Sequence, residues 1–145
     1  MNYLTTVGVT VGLLAGAWVY GAESLGMAGF AGFLGWASYF AAGGGKAGAI
    51  RAACCNMSGV LWGVVTVFLA GHAPIAVVFA AAFMCWQAKI PLLSFIPATF
   101  IGNACFHASG NDAPSAVAGL LCGIALGLVS AYAAKFFPGV RMNKR

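Results

Sequence analysis

The chain has 145 residues, a formal charge of +5, 62% hydrophobic residues and only 6% charged ones. Soluble domains carry roughly a quarter charged residues, so this chain cannot cover a soluble globule and its composition implies an all-α or β-barrel membrane protein. The seven basic residues stand singly at the ends of apolar runs, which excludes the aromatic-interleaved basic patch of a nucleic-acid binder.

A helix crossing the hydrocarbon core needs about 20 apolar residues, within a range of about 17–25. Six segments qualify, at 4–20, 25–42, 52–70, 73–88, 92–108 and 114–134. No Lys or Arg precedes the first of them, so it lacks the charged start of a signal peptide and reads as a mature transmembrane helix. The breaks between segments are GAES, GGGKAGAIR, GH, KIP and SGNDA. Barrel strands would alternate polar and apolar residues over about ten positions. No such alternation occurs, so the chain reads as all helical.

The second and fifth segments repeat one another. FLGWASYFAAG at 33–43 returns sixty-seven residues later as FIGNACFHASG at 100–110, with the Phe, two Ala and both Gly identical. SGVLWGVVTVFLA at 58–70 likewise matches CGIALGLVSAYAA at 122–134, glycines included. Such self-similarity precedes every other inference about fold. It divides a single transmembrane domain, 1–145, into two copies of about 1–70 and 71–145.

Charge gives the orientation. With six crossings, Lys46, Arg51, Lys89, Lys135, Arg141, Lys144 and Arg145 share one side, and Glu23 and Asp112 the other. The positive side is cytoplasmic, so both termini are inside (N-in, C-in). Three helices per copy make the second copy enter from the opposite face. The expected fold is therefore a 3+3 inverted-topology repeat, a plan that places a solute path at the repeat interface.

Glycines recur four apart in helix 1 (Gly8, Gly12, Gly16), helix 3 (Gly59, Gly63) and helix 6 (Gly119, Gly123, Gly127). They mark faces for close helix packing. Helices 3 and 6 are expected to meet through theirs, or to form the seam of a homo-oligomer. The five cysteines lie in or beside apolar runs with no metal-ligand spacing, and read as packing residues. Glu23, Asp112, His72 and His107 lie at helix ends and form no catalytic constellation. No enzyme, cofactor or metal is implied.

The repeated motif has the parts of a pore lining: Phe33, Trp36, Tyr39 and Phe40 in the first copy, Thr99, Phe100, Asn103, Phe106 and His107 in the second. Asn103 and Thr99, one turn apart, offer hydrogen bonds on one wall. Pro97 and Gly43–Gly45 are expected to bend or break the two motif helices.

At WASYFAAGG (36–44), NMSGVLWG (56–63) and IPATFIGNACF (96–106) the chain resembles the YcdZ-like family of small bacterial inner-membrane proteins of unknown function. The resemblance implies a bacterial inner-membrane location and no activity. The expected function is a passive channel or facilitator for a small neutral or weakly ionised polar solute, the alternative a non-transporting scaffold that binds partners through its glycine faces. The expected partners are the lipid bilayer, the solute and further copies of the chain.

Overall fold

A computed structural model describes residues 3–70 and 73–136, and the regular structure among them is helical. It comprises α1 (Tyr3–Ser24), α2 (Gly29–Ala41), α3 (Gly45–Ala70), α4 (Pro74–Trp86), α5 (Ile96–Ala108) and α6 (Ala113–Phe136), with 3-10 turns at Gln87–Lys89 and Pro91–Leu93. Three helices are long and apolar enough to cross a membrane, through Thr5–Ser24, Gly45–Leu69 and Ala113–Ala133. The other three have 13 residues each. At 1.5 Å per residue that is about 20 Å, short of the roughly 30 Å hydrocarbon core.

The boundaries depart from the sequence reading at three places. The stretch GGGKAGAIR, expected as a loop, is the start of α3. Only the glycines turn the chain, at φ +98°, +66° and +64° for Gly43, Gly44 and Gly45. The alanines and Ile50 after them favour helix, and the buried Tyr39 hydroxyl accepts a bond from the Gly45 amide at 2.9 Å, capping the new helix. The expected 25–42 segment begins late, because Gly26 turns at φ +63°. Pro97, expected to bend or break the second motif helix, instead lies in the first turn of α5, where its missing amide hydrogen leaves no helical bond unmade.

The tightest helix pairs are α2 with α6 and α3 with α5, followed by α3 with α6. Peripheral α1 rests on α6 and α2, and α4 on α3 and α5. A Cβ on Gly59 would overlap the Thr99 carbonyl, and one on Gly102 the Asn56 carbonyl. In the other seam a Cβ on Gly123 would overlap the Gly32 carbonyl, and one on Gly35 the Leu120 carbonyl. The glycine faces of α3 and α6 were expected to meet each other; each meets a short helix instead. The reason is complementarity: α5 and α2 bring Gly102 and Gly35, so both backbones are notched at the crossing and approach closely. Among the described residues Gly8, Gly12 and Gly16 of α1 have no such partner, since a methyl added at any of them would find nothing within 4 Å.

The short helices α2 and α5 end alike. Ala42, Gly43 and Gly44 amides donate to Ser38, Phe40 and Tyr39 carbonyls; Ser109, Gly110 and Asn111 donate to Cys105, His107 and Phe106. Each donor and acceptor lies sixty-seven residues from its counterpart. Gly44 and Asn111 share positive φ, +66° and +65°. Tyr39–Phe40 and Phe106–His107 are both edge-on ring pairs at 5.1 Å, with interplanar angles of 67° and 66°.

Charge is segregated along the bundle. The Ala28 amide donates to Ser115 Oγ at 3.1 Å, joining the turn after α1 to the start of α6 at the end that carries Glu23 and Asp112. Lys46 and Arg51 occupy the first turns of α3, toward the other end. Lys89 lies beside the turn whose Leu92 carbonyl meets Cys55 Sγ at 3.6 Å. Expectations for His72, Arg141, Lys144 and Arg145 fall outside the described residues, as does the side chain of Lys135.

Candidate functional site

A crevice of about 540 Å³ opens between α3, α4 and α5. Val77, Ala80 and Met84 of α4 give it an apolar wall; Thr66, Asn103, His107 and Asn111 give it a polar one. Phe100, Asn103 and His107 share a face of α5 because they are three and seven residues apart. Asn103 Nδ2 donates to the Gly59 carbonyl at 3.4 Å and lies beside Gly63, level with the middle of the apolar run 52–70. His107 Nδ1 lies 3.1 Å from Asn111 Oδ1. Among the described residues no charged side chain lines the crevice.

Of the nine residues expected to line a pore, the structure brings Phe100, Asn103 and His107 to this crevice. Phe33, Phe40 and Phe100 are 41%, 42% and 41% exposed, so on α2 the two phenylalanines face outward from the helix seams. Trp36 and Tyr39 are buried against Gly127 of α6, and Phe106 against Gly63 of α3. Thr99 is fully buried and accepts a bond from Gln87 Nε2 at 3.0 Å.

That glutamine anchors a second polar cluster. Its Oε1 accepts from Ser58 Oγ at 2.6 Å and Trp62 Nε1 at 3.0 Å. Gln87 therefore ties the turn after α4 to both α3 and α5. It is a polar residue at the end of an apolar run, but its three partners are remote in the chain and could not be read from the sequence. Asn111 and Met84 likewise enter the crevice from segments outside the repeated motif's core.

A third polar pair lies deeper. Ser38 of α2 and Asn56 of α3 are both fully buried, and Ser38 Oγ donates to Asn56 Oδ1 at 3.2 Å. Among the described residues, Asn56 Nδ2 and Trp36 Nε1 are buried donors without a partner. Each such donor costs about 1–3 kcal/mol. Among the described residues no three His, Cys, Asp or Glu side chains gather as metal ligands would.

A family model described as "Protein of unknown function (DUF1097)" matches residues 8–135. The inner membrane protein YcdZ of Salmonella typhimurium is 41% identical over 143 residues, covering 93% of this chain and 87% of the relative. Its Escherichia coli namesake is 42% identical over 143 residues, with 93% and 85% covered. The uncharacterized protein YahC of Escherichia coli is 37% identical over 150 residues, with 91% of each covered. No solved structure matches the chain. With three helices long and apolar enough to cross a membrane and relatives named for the inner membrane, the chain is an inner-membrane protein and belongs to the DUF1097 family.

Proposed function

We propose that this protein is a passive, non-enzymatic facilitator for small neutral polar solutes, built as two three-helix halves of opposite orientation with both termini cytoplasmic. The observation that carries the reading is the crevice of about 540 Å³ with Asn103 in its wall. A solute that sheds water in an apolar passage loses several kcal/mol unless polar groups replace those bonds. Thr66 and His107 offer replacements toward one end of the crevice, and Asn103 offers them further in. A wall without charge favours a neutral solute over an ion.

The two-half plan is supported by the matched helix ends and the matched glycine notches sixty-seven and sixty-four residues apart. α5 runs parallel to α3 and α2 parallel to α6, whereas α2 and α3 are antiparallel neighbours, so a rotation relating the halves inverts them. The segregation of Lys46, Arg51 and Lys89 from Glu23 and Asp112 supports the orientation.

The test is solute flux into proteoliposomes across a panel of small neutral solutes and ions. Asn103→Leu is expected to cut flux of the best neutral solute about tenfold or more with little change in thermal stability. Wild-type vesicles no more permeable than protein-free ones would end this reading. One observation favours a second reading, a membrane scaffold: the glycine face of α1 is unfilled, and a partner helix or another copy of the chain would fit it.

A further inference from the structure

Asn56 is fully buried, its carbonyl oxygen is held by Ser38, and its amide nitrogen has no partner. Buried polar groups are nearly always paired, so this free donor calls for a reason. Packing does not supply one. Leu120 stands sixty-four residues after Asn56 and makes the corresponding contact: its carbonyl fills the notch at Gly35, as that of Asn56 fills the notch at Gly102. Cys105, sixty-seven residues after Ser38, is buried with Leu120 in one apolar cluster. An apolar Leu and Cys of similar size thus occupy the equivalent positions. The Asn and Ser pair is a departure the fold does not require.

Position adds to this. Residues 56, 59, 63 and 66 form one stripe along α3. Thr66 lies on the crevice, and the Gly59 carbonyl holds Asn103 at its inner end. Asn56 is the next side chain on that stripe, one turn beyond the crevice lining. Among the described residues the other unpartnered buried polar atom, Trp36 Nε1, is also a donor. A molecule that satisfied the Asn56 amide would bring an acceptor lone pair. It would also be uncharged. Between Arg51, which is exposed, and the end of α3 there is no basic residue, and a desolvated anion without a countercharge is strongly disfavoured.

Resting on the facilitator reading, we infer that the Asn56 amide, oriented by Ser38, is a mid-span binding group for a small neutral molecule with an acceptor oxygen. Acetamide and acetate separate neutral from anionic binding because they have nearly the same shape. In isotopically labelled full-length protein in detergent, the Asn56 side-chain amide resonance, assigned through its loss in Asn56→Leu, should shift saturably with acetamide and stay still with acetate. In proteoliposomes, the Asn56→Leu/Ser38→Cys double variant, which installs the other half's pair, should lower acetamide flux at least tenfold while melting no lower than wild type. A resonance unmoved by acetamide, one moved by acetate instead, or undiminished flux in the double variant overturns the inference. A responding resonance in a protein that conducts no solute leaves the site standing and removes the facilitator reading.

Discussion

The seam between α2 and α6 and the seam between α3 and α5 share one pattern of backbone contact and differ in the side chains beside it. In both, paired glycines bring carbonyls into the space a methyl would need. Where the first seam has Trp36, Phe40 and Gly44, the second has Asn103, His107 and Asn111. Beside Gly32 lies the Trp18 indole, which donates to the Gly29 carbonyl at 2.8 Å. Beside its counterpart Thr99 lies Gln87 with its three hydrogen bonds. Even the caps differ: the Tyr39 hydroxyl serves α3, whereas Asp112 Oδ1 accepts from Ser115 N at 3.3 Å at the start of α6. The small residues that repeat set the geometry, and those that do not repeat set the chemistry. Polar groups have collected in the second seam without changing how the helices cross.

The largest expected effect tests the shared geometry. Gly59→Ala and Gly123→Ala each drive a methyl into a backbone carbonyl, and each is expected to cost about 3 kcal/mol. Thermal unfolding in detergent should show comparable drops. A wild-type midpoint for one and a large drop for the other would break the equivalence of the seams.

A smaller effect tests the difference in chemistry. Gln87→Leu strands Ser58, Trp62 and Thr99 and should cost about 2 kcal/mol, whereas Trp18→Phe removes one bond and should cost about 1 kcal/mol. Equal losses would mean that the Gln87 cluster contributes no more than a single bond, and the contrast between the halves would lose its energetic meaning.

The smallest effect comes from a glycine outside both seams. Gly12→Ala meets open space and replaces a poor helix former, so the midpoint should hold or rise by up to about 1 kcal/mol equivalent. A lower midpoint, or a smaller particle in size-exclusion chromatography, would show that the α1 face is occupied by another chain and favour the scaffold reading.

Composition alone settled the solvent of this protein, because 6% charged residues cannot cover a globule in water. Apolar run length gave six helices, and those runs are local properties of the chain. Boundaries were less legible: 45–51 looked like a loop because three glycines masked the helix formers behind them, and Pro97 looked like a break because its place in the first turn depends on where α5 begins. The motif marked Asn103 and His107, but not their neighbours across the crevice, Thr66 and Met84. Which glycine face meets which helix was decided only in three dimensions. Both α3 and α6 carry suitable faces, and the choice between them and the short helices rests on matching notches between segments far apart in sequence. The same holds for Asn56: its sequence shows an amide in an apolar run, and only the packed bundle shows that Ser38 satisfies one end and nothing satisfies the other.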